Sequence, residues 1–335
     1  MKEYIKTLTE GKDLSSEDAG AAMKKILSGE STPIQTAAFL SLLAVKGETP
    51  TEIAAFAGVM REYAGKVHPK VDGVLVDVCG TGGDAFKTFN ISTTSMFVVA
   101  AAGVAVAKHG NRSFTSKCGS ADVLEALGAD LVRTPRQIAK MIEEIGIGFM
   151  FAPLHHIAMK NVNPVRKELG IRTVFNILGP LSNPAGASSQ LMGVYDPGLT
   201  EKLAAVFREL GAEKALVVHG SPGIDELSTL GKTKISELSD GEVKNYFVAP
   251  EDFGLPKAEA KDIAGGTPEE NAKILLGVLT GEDAGPRRDI VLLNAAAGIF
   301  VGGKAEDLAE GLDVAKDAID SGAAYKKLEE FRGFR

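Results

Sequence analysis

The alternation of apolar and polar positions divides this chain into an all-helical beginning and a longer region of mixed strands and helices. In residues 1–66, apolar positions recur at helical spacing, as from Ala22 to Leu27, and no strand pattern lies between them. Ser15 followed by Asp18 is typical of a capping box at a helix start. The pattern therefore predicts a small bundle of helices.

Two further helices of this bundle are predicted from their end signals, at Pro33–Val45 and Pro50–Ala64. A threonine precedes each proline as an N-cap, and a glycine follows shortly after each predicted end. Residues 1–66 are thus expected to form a helical domain.

After Pro69 the pattern changes to short apolar runs, each followed by a glycine-containing turn and a helical stretch. The runs that predict strands are Val74–Cys79, Val104–Ala107, Ile147–Phe151, Leu191–Tyr195 and Ala215–His219, with a hairpin of Thr233–Leu238 and Val243–Val248. The end of the chain returns to helices. Alternating units of this kind predict an α/β domain over residues 71–335, with a mainly parallel sheet and ligands at the carboxyl ends of its strands.

The amino-acid composition disfavours several classes of function. The 335 residues include 37 Lys and Arg against 44 Asp and Glu, a net charge of −7 that disfavours nucleic acid as a partner. Two cysteines do not make a disulfide framework, and no apolar leader is visible at the start. The longest apolar run, Met96–Ala107, is too short to span a membrane. We expect a cytoplasmic protein without membrane contacts.

The segment Gly80–Asp84 lies between a predicted strand and a predicted helix. Its three glycines allow the backbone to approach an anion and turn N–H groups toward it, and Asp84 could hold a metal-bound water or a ribose hydroxyl. Taken alone, such a string is more often an ordinary tight turn. Its position at the end of a strand favours a phosphate site.

A second candidate anion site lies at Asn90–Thr93, where a helix is predicted to begin. Unpaired N–H groups and the helix dipole favour a phosphate there, and the hydroxyls of Ser92 and Thr93 could add donors or a metal ligand. The simpler interpretation is that Asn90 only caps the helix.

The most basic stretch of this acidic chain is the predicted loop Lys108–Gly119. Its three cations and three hydroxyls, together with the hydroxyl of Ser120 that follows, could surround a pyrophosphate, although a loop this polar could also be a solvated turn. No base is evident beside Cys118, which we interpret as a small loop residue rather than a nucleophile.

Asp225 and Glu226 follow the predicted strand Ala215–His219. Adjacent carboxylates on such a loop suit Mg²⁺, which binds one or two carboxylates together with substrate phosphate oxygens. Without phosphate sites nearby, an Asp-Glu pair in a loop would usually be solvated. The two upstream anion sites favour the metal interpretation.

Taken together, the motifs resemble one family, the anthranilate phosphoribosyltransferases. The segments that carry the resemblance, in this order, are GTGGD, TFNIST, KHGNRxxTSKxGSADVLEALG, HHIAMKNVNPVRKELGIRTVFNILGPLSNPA, QLMGVYDP and GIDE. The resemblance implies a fold of the nucleoside phosphorylase and phosphoribosyltransferase type. In that fold a small N-terminal helical domain, which a later helical segment near 155–180 is a candidate to join, precedes the larger α/β domain.

The family activity implied is transfer of the phosphoribosyl group of 5-phosphoribosyl 1-diphosphate to the amine of anthranilate, with release of pyrophosphate, in tryptophan biosynthesis. The resemblance also implies Mg²⁺ and a homodimer formed through the helical domain. We expect Pro33–Val45 and Pro50–Ala64 to supply that interface. A charge at Phe39 or Leu43 would then weaken the dimer if either side chain faces the partner.

Carried over by position, the resemblance also implies the site residues. The phosphoribosyl diphosphate site would contain Gly80, Gly83, Asp84, Thr88, Asn90, Ile91, Ser92, Thr93, Lys108, His109, Gly110, Asn111, Arg112, Ser113, Phe114, Thr115, Ser116 and Ser120. Anthranilate would contact Gly80, Asn111, His156 and Arg166, and the metal ligands would be Ser92, Asp225 and Glu226. Arg166 is the natural partner of the anthranilate carboxylate. No general base is assigned.

Two alternatives stay open on the sequence. A pyrimidine nucleoside phosphorylase-like enzyme would share the fold and the glycine-rich loop, but here Ser120-Ala121-Asp122 follow Gly119 and the segment around Arg166 is of the anthranilate type. A non-catalytic nucleic-acid-binding relative would be expected to have a basic surface and to lack the acidic pair.

Overall fold

The structure, a computed structural model, describes residues 1–83, 86–113 and 117–335. Four residues assigned above to the phosphoribosyl diphosphate site, Asp84, Phe114, Thr115 and Ser116, lie outside the described residues.

The chain begins with a helical bundle, as the sequence predicts. Its helices are α1 (Lys2–Thr9), α2 (Ser16–Leu27), α3 (Pro33–Lys46) and α4 (Pro50–Tyr63). The predicted caps are present, since the hydroxyl of Ser15 accepts from the N–H of Asp18 and Thr49 forms a complete capping box with Glu52. Such caps each stabilise a helix by roughly 1 kcal/mol.

The core of the bundle contains Phe39 and Phe56, whose rings meet edge to face with centroids 6.1 Å apart. Phe39 and Leu43 are both 0% exposed, so both are core positions and neither can report on an interface. Truncating a buried Phe to Ala costs about 3–5 kcal/mol. The exposed apolar residues of α3 are instead Ile34 and Val45, at 82% and 88% exposure.

A seven-stranded sheet follows, in the order β3-β2-β1-β4-β5-β6-β7. The strands are β1 (Leu75–Gly80), β2 (Ala105–Gly110), β3 (Ile147–Phe151), β4 (Ser189–Gly193), β5 (Lys214–Gly220), β6 (Thr233–Ser239) and β7 (Glu242–Val248). The first five are parallel, and β6 and β7 form the predicted antiparallel hairpin at one edge. The expected mainly parallel α/β fold is confirmed.

Strand β2 differs from the prediction. It extends through Lys108, His109 and Gly110, which we assigned to a loop, because these residues pair with β3 up to Phe151. The polarity of Lys108 and His109 conceals the strand in the sequence. Both side chains are nevertheless buried.

The remaining helices pack on the faces of the sheet or on helices that cover it. They are α5 (Ile91–Ala101), α6 (Ser120–Ala126), α7 (Pro135–Ile145), α8 (Ala152–His155), α9 (Asn163–Leu169), α10 (Phe175–Leu181), α11 (Leu199–Glu209), α12 (Pro268–Leu279), α13 (Pro286–Val301), α14 (Leu308–Asp320) and α15 (Ala323–Gly333). Short 3-10 turns occur at Ile157–Asn161, Pro250–Phe253 and Ala260–Ile263. None of the helices in the described residues is long and apolar enough to cross a membrane.

Two hydrophobic cores result. In the first, α5, α13, α14 and α15 pack against one another, and α5 and α13 cover the sheet, with Phe97 and Phe331 in edge-to-face contact at 5.6 Å. In the second, α11 and the N-terminal bundle pack together with the other face of β4 and β5.

The segment near 155–180 lies against the N-terminal bundle. Helix α9 packs on α3 and α10 packs on α4. His155 also ties this segment to the end of the bundle, because its Nδ1 lies 2.6 Å from the carbonyl oxygen of Gly65 and its own carbonyl accepts from Gly65 N–H. These contacts support counting the segment with the helical part, although the domain limits stay a prediction.

Candidate active site

The predicted glycine and acidic segments meet at the carboxyl ends of the parallel strands. Gly80 at the end of β1 lies directly opposite Gly193 at the end of β4, and the loop that follows β5 crosses both. Ligands of open α/β sheets bind at this edge.

Two glycines make room for that loop. A Cβ atom on Gly193 would overlap the backbone oxygen of Asp225, and one on Gly80 would overlap the carboxylate of Asp225. The loop therefore lies in direct contact with the strand ends. Asp225 is buried there, and its Oδ2 accepts from the N–H of Gly82 at 2.7 Å.

Asp225 is therefore not the solvated acid that an Asp-Glu pair in a loop, taken alone, would usually be. Its pKa is raised from the ordinary value, chiefly because burial disfavours the charged form, while the Gly82 N–H opposes the rise.

The start of α5 is not capped in the simple way that Asn90 suggests. Asn90 makes no side-chain cap bond, and its Oδ1 instead accepts from the amide of Asn271 at 2.9 Å and lies 3.2 Å from the Sγ of Cys118. The N–H of Ser92 in the first turn donates to Glu226 Oε1 at 3.1 Å. Glu226, distant in sequence, thus takes an N–H group that we predicted for phosphate.

Lys108 lies beneath this helix start. Its buried Nζ donates to the backbone oxygen of Val78 and to the hydroxyl of Ser92, the latter at 3.3 Å. A cation fixed in this position favours anions bound at the first turn of α5.

Asp77, in the middle of β1, was missed by sequence reasoning. It is fully buried, its Oδ1 accepts from the N–H of His109 at 3.3 Å, and its Oδ2 accepts from the amide of Asn183 at 2.7 Å. Burial raises its pKa to about 6, against the opposing effect of the Lys108 charge. The signal that could have found it is a lone carboxylate inside an apolar strand.

Arg112, a cation of the loop after β2, does not lie where we expected. Arg112 turns toward α6, where Nη2 lies 2.7 Å from Glu125 and Nη1 lies 3.7 Å from Asp122. Asp122 also accepts from the N–H of Ser113 at 3.0 Å, which closes this end of the loop. Of the loop's predicted cations, Lys108 alone has a described contact with the first turn of α5.

His109 and His156 form a second centre beside the phosphate region, with ring centroids 5.0 Å apart. Burial, followed by the charge of His155, lowers the pKa of His156 to about 4, and burial lowers that of His109 well below its ordinary value. Both imidazoles are therefore neutral near pH 7. In the described part of the chain, neither Nε2 has a hydrogen-bond partner, so each could serve a bound aromatic ligand.

Two arginines lie on the segment between β3 and β4. The half-buried guanidinium of Arg166 lies 5.6 Å from the ring centroid of Phe175, an arrangement suited to the carboxylate of an aromatic acid. Arg172, which the sequence did not single out, stacks on Tyr195 at 3.9 Å and donates to the Gly83 carbonyl at 3.2 Å. Arg172 thereby holds the end of the glycine segment.

Four other predicted residues lie on or next to α5 and α6. Thr88 forms an isolated bridge with Ala264, Ile91 and Thr93 are buried in α5, and the hydroxyl of Ser120 donates to the Asn111 carbonyl at 3.2 Å. The strand ends thus bring together the phosphate, histidine and acidic segments.

The predicted metal ligands have suitable chemistry. Ser92 contacts Glu226 directly, Asp225 is adjacent in sequence, and all three offer the hard oxygen donors that Mg²⁺ prefers. Among residues 1–83, 86–113 and 117–335, no three His, Cys, Asp or Glu side chains form a metal-binding cluster. Because Mg²⁺ prefers octahedral oxygen coordination, three protein donors would leave positions around it for substrate oxygens.

Comparison with known proteins agrees with this geometry. The glycosyl transferase family helical bundle domain matches residues 2–64, and the glycosyl transferase family a/b domain matches residues 72–325. The anthranilate phosphoribosyltransferase of Symbiobacterium thermophilum is 55% identical over 100% of this chain and 97% of its own. That of Methanocorpusculum labreanum is 55% identical over 98% of this chain and 96% of its own.

The chain belongs to the anthranilate phosphoribosyltransferase family. A solved anthranilate phosphoribosyltransferase, from Thermus thermophilus, has a TM-score of 0.94 at 45% identity and covers 99% of this chain and 98% of its own. The Saccharomyces cerevisiae anthranilate phosphoribosyltransferase, solved in complex with PRPP and Mg, has a TM-score of 0.89 at 31% identity over 99% of this chain and 96% of its own.

Proposed function

We propose that this chain transfers the phosphoribosyl group of 5-phosphoribosyl 1-diphosphate to the amine of anthranilate, giving N-(5-phosphoribosyl)anthranilate and pyrophosphate in tryptophan biosynthesis. The observation that carries the proposal is the convergence of two N–H anion sites, at Gly82 and Ser92, with the Asp225-Glu226 pair at one sheet edge. Family membership over the whole chain supports the same reaction.

The substrate chemistry explains why no strong base is needed. An aromatic amine is neutral at pH 7, so the main barrier is cleavage of the C1–O bond to pyrophosphate. The new C1–N bond forms as that bond breaks, and the nitrogen then gives its proton to water or to the released pyrophosphate. Lys108 and the N–H groups of the first turn of α5 would stabilise charge on the leaving group.

Mg²⁺ would be held by Ser92, Asp225 and Glu226 and would supply further neutralisation of the departing pyrophosphate. The S. cerevisiae relative was solved with PRPP and Mg, which supports the use of Mg²⁺.

Anthranilate would bind at the histidine centre. The neutral rings of His109 and His156 provide a surface for the aromatic ring, Asn111 lies two residues after His109, and Arg166 would bind the carboxylate. The backbone at Gly80 would adjoin the amine. A solved S. cerevisiae relative in complex with 4-fluoroanthranilate supports a ligand of this class.

A homodimer formed through the helical bundle is also proposed. Ile34 and Val45 lie three helical turns apart, on one face of α3, and both are exposed. A two-fold interface across this face would cover them, as is common in soluble homo-oligomers. A cytoplasmic location stays a prediction from the cysteine content.

The decisive experiment mixes protein, anthranilate, phosphoribosyl diphosphate and Mg²⁺ and follows the loss of anthranilate fluorescence. We expect no loss when either substrate is omitted and no loss in excess chelator. A parallel assay with uridine and phosphate tests the phosphorylase alternative. Uridine cleavage without consumption of anthranilate would overturn the proposed function, and full activity in chelator would overturn the metal assignment.

A further inference from the structure

The two acids of the proposed metal site occupy both predicted anion sites in this structure. Asp225 Oδ2 accepts from Gly82 N–H at 2.7 Å, and Glu226 Oε1 accepts from Ser92 N–H at 3.1 Å. One N–H group belongs to the glycine segment after β1 and the other to the first turn of α5. Each carboxylate therefore takes the place that a phosphate oxygen would need.

The acidic loop is held firmly in this position. Asn294, fully buried on α13, accepts from the N–H of Leu227 and donates to its carbonyl, both at 2.9 Å. On the other side, Gly80 and Gly193 leave no space between Asp225 and the strand ends. Because the backbone is held on both sides, both acids stay at the strand ends, and only rotation of their side chains would free the N–H groups.

A free diphosphate entering the site would meet two costs. It would have to displace Asp225 and Glu226 from the N–H groups, and its own charges would then lie close to both carboxylates. Like charges a few ångströms apart repel strongly in a partly buried site. A divalent cation between phosphate and carboxylate oxygens removes both costs, because the acids gain a partner when they release the N–H groups.

We propose that Asp225 and Glu226 are specificity-determining residues that exclude free diphosphates and admit only their magnesium complexes. Without the cation the acids act as internal substitutes for phosphate at Gly82 and Ser92. With the cation they hold the complex, and the N–H groups become available to phosphate oxygens. The inference rests on the proposed function for the identity of the diphosphate substrate.

The test uses inorganic pyrophosphate, the proposed product, in calorimetric titrations of the full chain. Glu226→Gln keeps the size of the side chain and removes its charge, and the residue is only half-buried, so the variant should fold. In excess chelator we expect Glu226→Gln to bind pyrophosphate about tenfold more tightly than the unmodified protein. In saturating Mg²⁺ we expect the same variant to bind it more weakly.

The matched control is Glu251→Gln, which makes the same charge change at an exposed position after β7. It should leave both affinities unchanged. Asp225→Asn provides a second variant, for which we also expect tighter binding of pyrophosphate in chelator and weaker binding in Mg²⁺. Circular dichroism checks that each variant is folded.

Equal affinity of Glu226→Gln and the unmodified protein in chelator would overturn the inference. Weaker binding by the variant in both conditions would also overturn it, because Glu226 would then only support the site. The outcome is distinct from that of the turnover assay. A protein without anthranilate turnover could still show this opposite effect of the variant on pyrophosphate affinity in chelator and in Mg²⁺, and an active enzyme could lack it.

Discussion

The side-chain amide of Asn271, at the beginning of α12, donates a 2.9 Å hydrogen bond to Oδ1 of Asn90, the residue that precedes α5. Asn271 is itself buried, and its Oδ1 accepts from the N–H of Gly266 at 2.7 Å. A helix from the C-terminal part of the chain therefore fixes the segment that leads into the second anion site.

Replacing Asn271 by Ala should weaken binding of phosphoribosyl diphosphate. Loss of the donor leaves Asn90 without this partner, at a cost of about 1–3 kcal/mol. We expect the KM for phosphoribosyl diphosphate to rise about tenfold or more, with little change in the KM for anthranilate. Steady-state kinetics with each substrate varied in turn measures this.

Asn271→Asp separates positioning from folding. The variant keeps an acceptor for Gly266 N–H but loses the donor to Asn90, so the KM should rise while thermal stability stays nearer to that of the unmodified protein. Asn245→Ala, at an exposed position on β7, is the control. A selective rise in the anthranilate KM would contradict this role.

Arg166→Ala should weaken anthranilate binding by about 1.5–3 kcal/mol, the range for a charge-assisted hydrogen bond. Arg166→Lys should restore little of the anthranilate binding, because the point charge of a lysine lacks the planar fork of a guanidinium and its stacking on Phe175. Binding is measured by titration of each substrate separately.

The neighbouring Lys167→Ala is the control, since Lys167 is exposed on the same helix. If Arg166→Ala instead weakened only phosphoribosyl diphosphate, the proposed orientation of the two substrates would be reversed.

Aspartate substitutions on the exposed face of α3 should dissociate the dimer. Light scattering at micromolar concentration should give about twice 35.1 kDa for the unmodified protein, and a mass nearer the monomer for Ile34→Asp combined with Val45→Asp. The physical reason is burial of two charges in an apolar interface.

Val132→Asp is the control for added surface charge, because Val132 is 73% exposed and lies outside the bundle. An unmodified protein that is a stable, active monomer would refute the dimer without affecting the chemistry.

Asp77 should make stability depend on pH. Its pKa is raised from 3.8 to about 6 in the folded protein, so the folded state binds more protons than the unfolded state between these values. The free energy of unfolding should therefore fall as the pH rises from about 4 to about 6, by up to about 3 kcal/mol.

Asp77→Asn should remove this slope, since its oxygen can still accept from His109 N–H but no longer titrates. Urea denaturation at several pH values measures the free energy of unfolding of both proteins. The contributions of the other titrating groups largely cancel in the difference between them. The same slope in both proteins would show that Asp77 is not its source.

The sequence by itself determined the elements whose signals are local. The bundle helices begin and end near their predicted caps, and the strand and helix alternation after Pro69 predicted the parallel sheet and the edge where Gly80, Ser92 and Glu226 meet. Capping, periodicity and turn glycines act over a few residues, so they can be read without the fold.

Only the tertiary structure decided which polar groups are partners. It placed Lys108 and His109 in a buried strand rather than a loop, turned Arg112 toward α6, and brought Asn271 to Asn90 across 181 residues. It also brought Glu226 within hydrogen-bond distance of the N–H of Ser92 and buried Phe39 in the core. The physical reason is that a buried polar group must find a donor or acceptor wherever packing supplies one, and the packing partner of a segment is fixed by the whole chain rather than by its neighbours in sequence.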